Sequence, residues 1–140
     1  MKAPKHLKHK PIIEVPDYEN YEPFATDAMA LSLGRSQYSD GNDFSAKVWR
    51  KPGKRWSRQS EELPFHRVLD LAVLVVNSLA NANSGTVNKT NLKEEFVDNV
   101  QSNQIQDLND YLVKNKPELD ERINQLETLI NNYKQQSKNP

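Results

Sequence analysis

The stretch Lys47-Val48-Trp49-Arg50-Lys51-Pro52-Gly53-Lys54-Arg55-Trp56-Ser57-Arg58 holds six basic residues, no acid and both tryptophans of the chain. Those residue types suit a planar, phosphate-bearing ligand. An exposed indole stacks on a base for ~1–3 kcal/mol, and guanidinium supplies a forked donor to phosphate. If Pro52-Gly53 centres an even-length hairpin, Trp49 opposes Trp56 and Arg50 opposes Arg55. One face then shows Lys47, Trp49, Lys51, Lys54, Trp56 and Arg58, while Phe44, Ala46 and Val48 pack on the core. The predicted ligand-binding residues are Lys47, Trp49, Arg50, Arg55, Trp56 and Arg58. A competing reading stands beside this one. Pro-Gly favours turn types that suit two-residue hairpins poorly, and a three-residue loop would part the tryptophans. One or both would then be buried, with the cations forming a solvated edge that blocks strand-to-strand aggregation.

A second constellation is Glu62, His66 and Asp70. The i, i+4, i+8 spacing puts them on one face of a helix. Such a polar stripe needs partners, and salt bridges from Glu61 and Glu62 to the basic hairpin supply them. A general base built from His66 and oriented by Asp70 is the chemical alternative. No third His or Cys has matching spacing, so no metal site is predicted. Ser57 and Ser60 lack a nucleophile elbow. The glycines at 34, 41, 53 and 85 stand too far apart for a phosphate loop. No cofactor is called for.

The chain has 140 residues, 19 basic and 19 acidic, with no cysteine and a 36% hydrophobic fraction. That is one domain's worth of sequence. Mean hydropathy is −0.86, polar for a globule yet too apolar and neutral for a disordered chain. Zero net charge excludes a general polyanion binder and argues against tight nonspecific DNA binding; sequence-specific nucleic acid is not expected as a partner either. The absence of cysteine excludes a disulfide scaffold and a thiol nucleophile.

The elements that must position these residues change character near residue 63. Pro11–Val15, Met29–Leu33 and Phe44–Val48 read as strands, and Arg55–Gln59 as a returning fourth. Leu63-Pro64 opens a helix whose apolar residues, from Phe65 to Ala80, cover most of its circumference. It is therefore expected to be the buried spine. Asn81–Gly85 ends it. Asn91 with Glu94 forms a capping-box signature for a helix presenting Leu92, Phe96 and Val100. Ile105, Leu108 and Leu112 resume the helical pattern. Pro117 starts a last helix with Leu119, Ile123, Leu126, Ile130 and Tyr133 at alternating +4 and +3 steps. That two-heptad seam packs on its own domain or pairs with a second copy.

The fold class predicted is α+β: an N-terminal antiparallel sheet of three or four strands on a buried central helix, with two or three C-terminal helices. The organisation is a basic, solvated arm at 1–10, a single domain at 11–136 (sheet part 11–60, helical part 64–136) and a polar tail at 137–140. No apolar run is long enough for a signal peptide or a membrane span, so a cytoplasmic protein with no membrane partner is expected.

The block Phe44–Arg50, continued by Lys54-Arg55-Trp56-Ser57-Arg58-Gln59-Ser60-Glu61-Glu62-Leu63-Pro64-Phe65-His66-Arg67-Val68-Leu69-Asp70-Leu71-Ala72, resembles the signature of a family of small bacterial proteins of uncharacterised function. Pro4–Pro11 and Ala30–Gly34 are similar as well. The likeness covers roughly residues 1–75. It implies a bacterial or phage cytoplasmic setting and carries no ligand or catalytic residue with it.

Three functions remain. The leading one is a non-enzymatic protein binding an anionic, planar small molecule at the hairpin. The second is an adaptor that meets a protein partner or dimerises through Leu119, Ile123, Leu126, Ile130 and Tyr133. The third, ranked last, is a small hydrolase using His66 and Asp70.

Overall fold

A computed structural model describes residues 1–21, 26–38, 40, 42–58, 61–80, 91–92, 95–96 and 102–138. Its class is α+β, with a four-stranded antiparallel sheet followed by three helices. The chain divides into two compact units, Met1–Asp70 and Leu71–Pro140.

The first unit is built on β1 (Lys10–Val15), β2 (Ala28–Arg35), β3 (Phe44–Arg50) and β4 (Glu62–Leu63), in the order β1-β2-β3-β4. Period-2 alternation sorts β2 into two rows. Ala28, Ala30, Ser32 and Gly34 are buried, whereas Leu33 and Arg35 are exposed. The register joins Ile13 to Leu33, Leu33 to Ala46 and Ala46 to Leu63. The larger apolar side chains therefore share one face, and that face is open: Ile13 is 62% and Phe44 47% exposed.

This inverts the expected orientation of β3. Ser45, Lys47 and Trp49 are buried, and Phe44 and Val48 are exposed. The cause is the N-terminal segment. Residues 1–9, expected as a solvated arm, lie on the sheet, with Ala3, Pro4 and His9 buried. Ala3, Ala30 and Trp49 form the core, and Leu7 and Trp56 pack against it. The amide of Ala3 donates to Glu14 Oε2 at 2.9 Å, and Asp17 N–H to the Met1 carbonyl at 2.9 Å. At Gly34 the absence of a side chain lets the start of β1 and the end of the arm approach closely. A Cβ at Gly34 would run into the Lys10 carbonyl and lie 2.9 Å from His9 Nε2.

The fourth strand also differs from expectation. It lies at Glu62–Leu63, opposite Lys47 and Ala46, and not at 55–59. Ser57 N–H bonds to the Arg50 carbonyl at 2.8 Å, and Val48 N–H to that of Glu61 at 3.0 Å. Residues 51–56 thus form a wide loop, in keeping with the poor fit of Pro-Gly to a two-residue hairpin. Gln59 lies outside the described residues.

Helix α1 (Phe65–Ala80) begins directly after Pro64 and runs across the division between the units. The expected burial of this helix is not met. None of its residues is buried, and Leu69 and Leu71 are 64% and 51% exposed. The layer on the sheet is supplied by residues 1–9 instead.

In the second unit, the helix expected from Asn91 is replaced by a short antiparallel pair, β5 (Asn91–Leu92) with β6 (Glu95–Phe96). The Asn81–Gly85 stop, Glu94 and Val100 lie outside the described residues. Helices α2 (Ile105–Lys114) and α3 (Lys116–Lys138) follow the predicted periodicity. Asn115 separates them: its side-chain amide donates to the Tyr111 carbonyl at 2.8 Å. Among the described residues, no helix is long and apolar enough to cross a membrane.

The close approach at Gly34 is testable. Gly34→Ala forces the Lys10 backbone outward, and strain of this kind costs about 1–3 kcal/mol or more. Urea unfolding should show a lower midpoint; an unchanged midpoint would mean that the arm yields freely.

Candidate functional site

Five side chains meet beneath the arm. His9 is 1% exposed, Ser45 2%, Ser32 5%, Glu62 6% and Trp49 1%. His9 Nδ1 lies 2.7 Å from Glu62 Oε2, and His9 Nε2 lies 3.1 Å from Ser32 Oγ. Ser45 Oγ donates to Glu62 Oε2 at 2.6 Å and stands 3.1 Å from His9 Nδ1. Trp49 Nε1 donates to Ser32 Oγ at 2.8 Å. The Gln37 amide donates to Glu62 Oε1 at 3.1 Å. The pattern fits an imidazole with its proton on Nδ1, donating to the carboxylate and accepting from Ser32.

Strand pairing sets this cluster. Lys47 faces Glu62 across β3–β4, and Ser32 faces Lys47 across β2–β3. Lys47 Nζ sits 4.7 Å from the centroid of the Trp49 ring, and His9 meets that ring edge-on at 5.7 Å. Burial alone would raise the Glu62 carboxyl. The hydrogen bonds from Ser45, His9 and the Gln37 amide outweigh it and hold the group below the usual carboxylate range.

Ser32, His9 and Glu62 stand at the spacing of a nucleophile, base and acid. Two features set this trio apart from an open catalytic site. Ser32 Oγ is buried, and it already accepts the indole N–H. The cluster works as a fully bonded polar core that pins the arm to the sheet.

Beside it lies a cleft of about 450 Å³ lined by His6, Leu7, Lys8, Lys10, Arg35, Ser36, Gln37 and Asp40. Three permanent cations line it, Lys8 from the arm and Lys10 and Arg35 from the paired ends of β1 and β2, against one acid. Lys10 Nζ donates to the Lys5 carbonyl at 2.9 Å, and the Arg35 guanidinium lies 5.0 Å from the Phe44 ring centroid. Asp40 adopts φ 49°, a left-handed conformation that aspartate tolerates better than most residues. A volume of this order accommodates a small organic ligand.

The predicted hairpin site is not assembled as drawn. Lys47 and Trp49 are buried, and Trp56 is half-buried, edge-on to Trp49 at 6.3 Å. Arg50 belongs to the other face, where it grips Asp27 at 2.8 and 2.6 Å and Glu61 at 3.0 Å. That clamp holds the Asp27 carboxyl below its ordinary range. The Glu61 contact is a salt bridge of the kind expected between the acidic residues and the hairpin. Lys54, Arg55 and Arg58 are exposed on the loop, so the six do not share one surface.

The Glu62–His66–Asp70 stripe is split. Pro64 delays the helix, so Glu62 is a strand residue facing inward, while His66 is exposed. Asp70 pairs with Arg67 at 3.4 Å. Sequence reasoning missed His9, Ser32 and Ser45 altogether. The signal for Ser32 was the small-residue row Ala28-Ala30-Ser32-Gly34. His9 had no local signal, since its partner is 53 positions away.

The chain belongs to a family of unknown function (DUF6530), whose model matches residues 1–135. No curated protein and no solved structure matches it.

The pair His9–Glu62 is testable by truncation and by acid. Removing one partner of a buried hydrogen bond costs about 1–3 kcal/mol, and Glu62 satisfies the buried donors of His9 and Ser45 as well as the Gln37 amide, so Glu62→Ala should lower unfolding free energy by at least that order. The folded carboxyl lies below its unfolded value, so its contribution is complete above that value and is lost as pH falls through the folded one. Glu62→Gln should therefore show a shallower loss of stability than the parent below about pH 4.5. Parallel acid-unfolding curves would contradict this.

Proposed function

We propose that the protein is a non-enzymatic binding protein for a small, phosphate-bearing anion held in the cleft by Lys8, Lys10 and Arg35, with His6 beside them. The observation that carries this reading is the convergence of these cations, from two separate segments, on one concave site of ligand size. A cation on a convex, solvated loop such as 51–58 interacts weakly with anions in water. In the cleft several cations face one volume, and their fields add there. The stacking element of the earlier expectation is not retained, because Trp49 is buried. Zero net charge favours a compact anion over a polynucleotide.

A second reading, an adaptor that pairs with a second copy through α3, is favoured by the exposure of its seam. Ile130 and Tyr133 are 49% and 70% exposed. Light scattering should then give about twice 16.1 kDa, and Ile123→Lys with Ile130→Lys should return it to the monomer value. A monomeric parent ends that reading.

For the anion, calorimetric titration with inorganic pyrophosphate at low salt should show binding that weakens with added salt. Hydrogen bonds to charged groups contribute roughly 1.5–3 kcal/mol, so Arg35→Ala or Lys8→Ala should weaken it about tenfold or more. Absence of binding by the parent protein overturns the proposal.

A further inference from the structure

The cleft has two walls. One is the arm, contributing His6 and Lys8; the other is the paired ends of β1 and β2 and the turn after β2, contributing Lys10, Arg35 and Gln37. A single buried carboxylate is bonded to both. Glu62 Oε2 holds His9, which lies between Lys8 and Lys10, at 2.7 Å. Glu62 Oε1 accepts the backbone amide of Gln37, two residues past Arg35, at 3.1 Å. Glu62 is 6% exposed and is not among the lining residues. It reaches a ligand only through the walls it fixes.

We infer that Glu62 is the positioning residue of the cleft, so that docking of the arm on the sheet and binding of the anion are one coupled equilibrium. This rests on the anion-binding reading above. An undocked arm removes His6 and Lys8 from Lys10 and Arg35 and takes away one wall of the cleft. By reciprocity, whatever binds across both walls must hold the arm down.

The test uses inorganic pyrophosphate and limited trypsin digestion of the full chain. Lys2 is exposed, stands outside the cleft and precedes the buried Ala3, so cleavage after it reports undocking without direct shielding by the ligand. In the parent, saturating pyrophosphate should slow that cleavage severalfold. Glu62→Gln keeps the side chain's shape and removes its charge. It should weaken pyrophosphate binding at least fivefold, a typical coupling strength, and speed cleavage after Lys2. Saturating pyrophosphate should restore the protection. If circular dichroism shows Glu62→Gln unfolded, Ser45→Ala serves in its place, since it removes one bond to Glu62 Oε2 and its Oγ is not among the cleft-lining groups; the same effects should appear in smaller measure. A parent that binds pyrophosphate with no change in cleavage after Lys2, or a folded variant that binds within twofold of the parent, overturns the coupling and leaves the anion reading standing. A parent that does not bind overturns both.

Discussion

The buried pair of His9 and Glu62 is the constraint from which the rest of the first unit follows. A carboxylate taken out of water is tolerated only if its lone pairs are filled. Here an imidazole, a hydroxyl and a backbone amide fill them, at 2.7, 2.6 and 3.1 Å. Each donor belongs to a different segment: the arm, β3 and the turn after β2. Satisfying one charge therefore fixes three pieces of chain. It decides which sheet face is covered, and hence that Trp49 faces inward while Phe44 and Val48 face out.

Much of the fold was legible in the sequence, because strands and helices announce themselves by local period. The alternation at 29–33 and 44–48 placed β2 and β3, and the +4/+3 steps from Leu119 to Tyr133 placed α3. What failed was the choice of face. Reading the larger side chains as the inward row is sound when a helix covers a sheet. It fails when extended backbone lies on the sheet, because only the small row leaves room for it. Gly34 is the plainest instance, where the chain passes from the arm at His9 into β1 at Lys10.

The candidate site was less legible, for a related reason. Six cations in twelve residues stand out in a sequence, yet strand alternation sends Arg50 to one side and Lys47 and Trp49 to the other. The cleft gathers Lys8, Lys10 and Arg35, which no spacing rule connects. An arm rich in Lys and His reads as solvated until its partner is known. The partner, Glu62, in turn read as the first residue of a helical stripe, and only its place in β4 turns it inward.

The row Ala28, Ala30, Ser32 and Gly34 has a consequence for how this strand can drift over generations. Its four inward positions are all buried, and at Gly34 even a methyl group would have to displace the Lys10 carbonyl, so they have little mutational latitude. The intervening positions on the open face differ: Leu33 is 41% exposed and Arg35 is exposed too, so they can exchange among side chains of many sizes. Divergence along β2 should thus be lopsided, invariant at every second residue for reasons of volume alone.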